Sequence, residues 1–411
     1  MQVVKGISPN EEKQIAIYQI KEDGIVKYYC EKGYKQMNKD ELKEIKSKPR
    51  SYTHLMIPVD KDYKNSLTLK EQYKAFIEEA DYLKQLTEGR INLYKTGSVG
   101  KTALQLFYSF NPAIAEKIEP YESKILTSCK TGGLIWGKVG YEGKAYKYDI
   151  RSQFPSVMKS THTPFPIKKG TLKTLSKEEF DKMKYFSYGI YHVKVIGSDK
   201  KMFIENYENW YSHIDLNACL KYGYKLELIE EQNNWLDYTG CLINGNKLFG
   251  PFVNFLYNFK QQGKKYVKKY LCALWGVLTS TNNMLLVVDD KNGIRENRNI
   301  VSMMPTTNST NIEDILKSQY VEMYELDKTF DTDYARIKPF LTAKCRCQMA
   351  AIINQNYDNL VRVYIDGIIL SKRIQDSDVG DNIGQLKYEG KSKKIHVINA
   401  RDIDVIDEFI F

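Results

Sequence analysis

The segment Tyr148-Asp149-Ile150-Arg151-Ser152-Gln153-Phe154-Pro155-Ser156-Val157-Met158 constrains this chain more than any other: it sets one carboxylate at a strand end, then a turn, then the start of an apolar helix. Far downstream, the apolar and β-branched run Val363-Tyr364-Ile365-Asp366-Gly367-Ile368-Ile369-Leu370 carries a single Asp. A charge inside a buried strand is costly unless something offsets it. Two such strands paired side by side would bring Asp149 and Asp366 together, and carboxylates that close repel unless cations sit between them. Two-metal phosphoryl transfer uses that arrangement, with ions about 3.5–4 Å apart clamping the attacking and leaving oxygens.

The first segment resembles the D-x-x-S-L-Y-P-S signature (motif A) of family B DNA polymerases, and the second the T-D-G-I or T-D-S-I form of their motif C. Between them, Lys268-Lys269-Tyr270-Leu271-Cys272-Ala273-Leu274-Trp275-Gly276 resembles the K-x3-N-S-x-Y-G helix of the fingers, motif B. All three occur in the family order. Arg336 to Ala343, leading to Arg346, resembles the run before motif C in viral and plasmid members, and Trp210 to Leu216 resembles their Y-T-H-I-D segment. Upstream, Tyr94 to Ala103 and Thr131-Gly132-Gly133 are similar to T-G-S-x-x-K-T-A and Y-x-G-G. The resemblance therefore runs from Tyr94 to Arg401 and points to the polymerases of phages, linear plasmids and large DNA viruses, protein-primed enzymes among them.

At 411 residues the chain can bury one large core or divide into two or three domains, yet it is short for a complete replicative enzyme of this family. Its 61 basic and 51 acidic residues give a net charge of +10, which favours a polyanionic partner but also suits a solvated Lys-rich surface. Seven cysteines without a C-x-x-C, and Cys345-Arg346-Cys347 too closely spaced for a zinc pair, read as thiols in a reducing compartment. Scattered histidines argue against zinc as well. There is no run of 18 apolar residues and no apolar signal-peptide core at the N-terminus, so a cytoplasmic protein is expected, or an organellar one if a linear plasmid carries it, but not a secreted one. Absence of G-x4-G-K-[ST] argues against helicase and nuclease motors.

The resemblance implies an α+β fold of right-hand architecture: a palm with an antiparallel sheet, helical fingers and a reduced thumb. Division along the chain gives an N-terminal region at 1–90 with the exonuclease reduced or absent, palm at 91–247, fingers and an excursion at 248–330, palm again at 331–385, and a vestigial thumb at 386–411. Apolar spacing predicts a helix over Leu67–Leu86 and a strand with one solvated face over Gly189–Ile196. Two finger helices are expected over Phe252–Leu278, broken near Gln261-Gln262-Gly263. Asp289–Asn311, with turn signals at Lys291-Asn292-Gly293 and Pro305, reads as a loop or small excursion. No D-x-E occurs, so the first exonuclease metal site is missing and proofreading is predicted absent. Asp81 reads as a surface helix carboxylate rather than a relic of the third exonuclease motif.

By the same resemblance, Asp149, Asp366 and the backbone carbonyl of Ile150 are the expected ligands of two Mg²⁺ ions, hard cations that take oxygen donors, with Mn²⁺ as the admissible substitute. Tyr364 replaces the first carboxylate of the common D-T-D. Phe154 stands at the family's Tyr position, where its ring would collide with a ribose 2′-OH and so favour dNTPs. Lys268 and Lys260 are expected at the triphosphate. Trp275 and Gly276 are expected at the nascent base pair, while Cys272 replaces an Asn and loses its hydrogen bond. Thr131, Gly132 and Gly133, preceded by Lys130 where an aromatic commonly sits, would approach the template; a plain loop turn is the competing reading. Arg336 and Lys338 are read as duplex contacts or as a solvated face. Arg401 would offer a cation to primer phosphate, with Ile403 replacing a Tyr.

The function so implied is template-directed DNA polymerisation from dNTPs on primer-template DNA without proofreading. A terminal protein, a clamp or a separate exonuclease or thumb subunit is the candidate further partner. The alternatives are a catalytically decayed, polymerase-derived DNA-binding scaffold and one chain of a split polymerase. Widely separated carboxylates would favour the scaffold.

Overall fold

The alternation in Glu142–Ile150 dictates a strand buried on both faces. Tyr148 and Ile150 fall on one face and Ala145 on the other, and each enters a different core cluster. In this computed structural model the described residues are 11–21, 23–48, 52–59, 67–129, 131–281, 283–287, 300–303, 320–324, 329–375 and 379–410, with only the backbone described for 283–287, 300–303 and 320–324. Lys130, Lys291-Asn292-Gly293 and Pro305 lie outside them. The chain forms two compact units, one of Met1–Pro112 with Phe252–Val277, the other of Ala113–Pro251 with Leu278–Phe411. Among the described residues no helix is long and apolar enough to cross a membrane.

In the first unit a four-stranded sheet runs in the order Gly33–Met37, Val26–Cys30, Gln14–Ile20, His54–Pro58. Its pairings are antiparallel except the last, which is parallel and follows the helix Lys39–Ser47. The helix Leu69–Leu86 starts where a Thr68/Glu71 capping box satisfies its first N–H groups, two residues inside the expected start. Helix Gly245–Gln261 begins earlier than the apolar pattern suggests and continues through Pro251. Gly263 and Tyr266, both at positive φ, break the helical path, and Val267–Leu278 resumes it, so the interruption expected at Gln261-Gln262-Gly263 is present. Buried Glu79 holds the second of these helices by an ion pair to Lys269 and by accepting from the Tyr270 hydroxyl at 2.7 Å.

The second unit is built on a six-stranded antiparallel sheet in the order Ile403–Val405, Leu386–Val397, Glu142–Ile150, Gly367–Leu370, Leu360–Tyr364, Ile135–Gly137. One face packs on the helix Ile337–Gln355, where Met349, Ala350 and Ile353 meet Tyr148, Ile150, Val363, Ile368 and Leu370. A second sheet is centred on Gly189–Ile196, the strand expected from its alternation. Its half-exposed His192 stacks on Trp210 at 4.4 Å. Leu386–Val397, assigned above to a vestigial thumb, pairs along most of Glu142–Ile150 and belongs to the main sheet. Part of the expected excursion is likewise ordered: Ile300–Met303 pairs with Tyr320–Tyr324.

Arg336 corrects another expectation. It is wholly buried, paired with equally buried Glu122 at 2.6 Å and bonded to the carbonyls of Glu116 and Lys117, so it cannot reach a duplex. Glu122 also accepts from the Tyr238 hydroxyl and the Gly170 N–H.

Two outcomes follow from these buried groups. Arg336→Met leaves the Glu122 carboxylate buried without its cation and should lower unfolding free energy by about 3–5 kcal/mol in urea melts. Burial pulls His213 from 6.5 down to about 4, with the Lys344 charge acting in the same direction. The unfolded chain therefore takes up a proton below pH 6.5 that the folded chain refuses, and this share of stability, present above pH 6.5, is lost as pH falls toward 4. Between pH 7 and pH 4.5 wild type should lose about 2–3 kcal/mol more than His213→Gln.

Candidate active site

Asp149 occupies the last position but one of its strand, and the register sets Gly367 opposite it on one side and Lys387 on the other. The Ile150 N–H donates to the Asp366 carbonyl at 2.9 Å, so the two aspartates are one register step apart at the same end of the sheet. Both are half-buried. Pleating turns Asp149 to the face opposite Tyr148 and Ile150, away from the Ile337–Gln355 helix. A Cβ at residue 367 would lie 4.0 Å from the Asp149 Oδ1, so Gly367 leaves the space beside that carboxylate open.

Asp366 is not inside a strand, as the sequence pattern suggested. It forms, with Ile365, the two-residue turn between Leu360–Tyr364 and Gly367–Leu370, whose last pair is Tyr364 with Gly367. A turn at a sheet end leaves the carboxylate half-buried rather than enclosed, which lessens the burial penalty anticipated for it. Ile365 instead bears a backbone cost: its φ is +60°, unfavourable for a β-branched side chain by about 1–3 kcal/mol. Two contacts hold it. Its N–H donates to the Leu134 carbonyl at 2.8 Å, and Gly133 lies so close that a Cβ there would come within 3.0 Å of Ile365 Cγ2 and 3.1 Å of its Cα.

After Asp149 the chain turns through Ser152, in the left-handed region at φ 49°, into the short helix Gln153–Met158. Arg151 anchors this turn. Its N–H and carbonyl bond to Gln385 and Gly384 at 2.9 and 2.7 Å, while its guanidinium donates to the Gly380 carbonyl and to Asp381. Gln153 is buried and donates to the Cys345 carbonyl at 3.0 Å, leaving half-buried Phe154 next to it on the helix.

Thr131, Gly132 and Gly133 form the irregular lead into Ile135–Gly137, and Arg346 donates to the carbonyls of the first two at 3.2 and 2.8 Å. Exposed Arg401 sits in the turn after Leu386–Val397; its carbonyl and that of Ala400 accept from the Arg362 guanidinium. Lys387, beside Asp149, was not singled out from sequence; it bonds Glu389, as does Lys147. Burial raises the Glu389 carboxyl, but these two lysines more than offset that and hold it below its usual range. The alternation Lys387-Tyr388-Glu389 was the available signal. Asp81, on the first unit's Leu69–Leu86 helix, accepts from the Tyr94 hydroxyl at 2.6 Å.

The remaining candidates lie on the first unit. Along Val267–Leu278 the buried residues Val267, Tyr270, Leu271 and Leu274 leave Lys268, Cys272 and Gly276 exposed at four-residue spacing, with half-buried Trp275 at their edge. A Cβ at Gly276 would meet nothing within 4 Å. Lys260 ends the preceding helix, its ammonium 5.6 Å from the Tyr257 ring centre.

No protein-family model matches the chain. Two curated relatives, each named a probable DNA polymerase, are 23% identical to it: one from Neurospora intermedia over 59% of this chain and 27% of the relative, and one from Agaricus bitorquis over 90% and 50%. The chain thus spans half or less of the length of these relatives. Solved structures of phi29 DNA polymerase superpose with a TM-score of 0.59 at 14% identity. The complex with primer-template DNA covers 94% of this chain and 86% of that one, and the complex with single-stranded DNA 95% and 86%. The sequence relatives are thus named DNA polymerases, and the chain shares the α+β fold of phi29 DNA polymerase.

Proposed function

We propose that this chain is a template-directed DNA polymerase that joins dNTPs to a primer 3′-hydroxyl. The observation that carries this reading is the backbone bond joining Ile150 to Asp366, which sets Asp149, in its strand, and Asp366, in the adjoining turn, at one sheet end. Their donor set suits Mg²⁺, a hard cation: oxygens from Asp149 and Asp366, with the Ile150 carbonyl as a third. Bound there, the ions would lower the pKa of the primer hydroxyl and neutralise charge on the leaving pyrophosphate. In the reaction the 3′-oxygen bonds the α-phosphorus as its proton leaves, and the bond from that phosphorus to the β-phosphate bridging oxygen breaks.

In this reading the six-stranded sheet is the palm, and the helices over 252–277 are the fingers. Phe154 blocks a ribose 2′-OH. Lys260 and Lys268 meet the triphosphate, and Trp275 and Gly276 meet the base pair. Arg401 and the Thr131–Gly133 lead take primer and template. We expect no proofreading from this chain, because its sequence holds no D-x-E with which to build the first exonuclease metal site. Phi29 DNA polymerase solved with primer-template DNA and incoming nucleotide substrates supports the substrate class.

Primer extension with Mg²⁺ tests the reading. Wild type should extend a primed template with dNTPs and not with NTPs, Asp366→Asn should lose about 10³-fold or more in rate, and Phe154→Val should admit NTPs. No extension by a sample that binds the template would overturn the reading of this chain as a polymerase on its own, in favour of a scaffold or of one chain of a split enzyme. A 5′-labelled single strand incubated with Mg²⁺ should keep its length; shortening that persists in Asp366→Asn would reveal a nuclease elsewhere in the chain.

A further inference from the structure

Arg346, on the Ile337–Gln355 helix, is buried, and all five of its N–H donors are used. Nε and Nη2 donate to Asp215 at 2.8–3.2 Å, and Nη1 donates to the carbonyls of Thr131 and Gly132. Asp215 is itself fixed: it lies in the first turn of His213–Tyr222 and accepts from the Ser212 hydroxyl at 2.9 Å. The next residues of the gripped segment are the ones that touch the turn holding Asp366. Gly133 abuts Ile365, and the Leu134 carbonyl takes the Ile365 N–H. Without the guanidinium, the Thr131–Gly133 run has no strand ladder to hold it.

We propose that the Asp215–Arg346 pair is a positioning device for Asp366: by gripping two carbonyls it presses Gly133 and Leu134 against Ile365 and so fixes the strained turn from which the carboxylate projects. The assignment of Asp366 as a catalytic residue comes from the polymerase reading; the mechanical link does not depend on it. Lysine cannot replace the fork, because a point charge with three donors cannot span a carboxylate and two carbonyls in these directions.

The test measures amide exchange at Ile365 by NMR, together with primer-extension kinetics, in wild type, Arg346→Lys and Arg336→Lys. Arg336 supplies the control, a second buried guanidinium that bonds a carboxylate and three carbonyls, none of them in the Thr131–Leu134 segment. Arg346→Lys should speed exchange at Ile365 about tenfold or more beyond any change in global stability. Its kcat should fall about 10²-fold with a smaller change in KM for dNTP, the signature of a misplaced catalytic group. Arg336→Lys should lower the melting temperature yet leave Ile365 exchange, corrected for stability, and kcat per folded molecule within about twofold of wild type. Should Arg346→Lys not fold, Gly133→Ala acts on the same contact with the ion pair intact and should reproduce both effects. Unchanged exchange at Ile365 in these variants, or equal acceleration in Arg336→Lys, overturns the proposal. Faster exchange confined to Arg346→Lys and Gly133→Ala in a wild-type background that extends no primer supports the mechanical link and overturns the polymerase reading instead.

Discussion

The antiparallel register between Glu142–Ile150 and Gly367–Leu370 is the constraint on which the site rests. A slip of one residue would send Asp149 to the face covered by the Ile337–Gln355 helix and expose Tyr148 and Ile150. The core forbids that slip. Tyr148, Ile150, Ile368 and Leu370 enter one cluster, and Ala145 and Ile369 enter the other, so both faces of both strands specify the same pairing. Leu386–Val397 pairs on the far side of Glu142–Ile150 and leaves the central strand no edge along which to shift. The relative placement of the two aspartates is thus inherited from apolar packing, not from any attraction between the carboxylates themselves.

Irregular backbone near this sheet is organised by buried arginines. Arg336 takes the carbonyls of Glu116 and Lys117 while paired with Glu122, and Arg346 takes those of Thr131 and Gly132 while paired with Asp215. A buried ion pair is weak evidence for net stability, because desolvation cancels much of the Coulomb gain. Its use here is different. Segments outside a ladder still carry carbonyls that must be satisfied when buried, and a planar five-donor fork can satisfy two of them and a carboxylate together. Each arginine therefore converts a loop into a fixed part of the core at the cost of burying one charge pair.

Local periodicity made some of this legible in the sequence. The alternation of Gly189–Ile196 and the three-to-four spacing through Leu86 each specified an element that formed near the expected bounds, because each encodes its own buried face. The three polymerase-like motifs, in order, gave the architecture. What stayed hidden depends on partners distant in sequence. Arg336 looks like a solvated cation until Glu122 is brought to it, and Asp366 looks like a strand residue because Ile365 takes a turn conformation that β-branched side chains rarely adopt. Leu386–Val397 reads as part of a vestigial thumb because its charged residues mask the buried positions Leu386, Ile395 and Val397, which become legible only once it pairs with Glu142–Ile150.

Two glycines within the motif segments separate packing from binding. At Gly133 the reason for glycine is internal: a Cβ would press on Ile365 at 3.0 Å, so the residue would be required even if no template ever approached. At Gly276 a Cβ would meet none of the described residues within 4 Å, and a mid-helix glycine costs about 1 kcal/mol relative to alanine. Lys268 and Cys272 on the same exposed stripe, with Trp275 at its edge, supply a cation and a flat ring beside the open position, the combination a nucleotide's phosphates and base would use. On the polymerase reading proposed above, this open face is where the nascent base pair would lie, and that part of the reading draws on the helix rather than on the carboxylate pair.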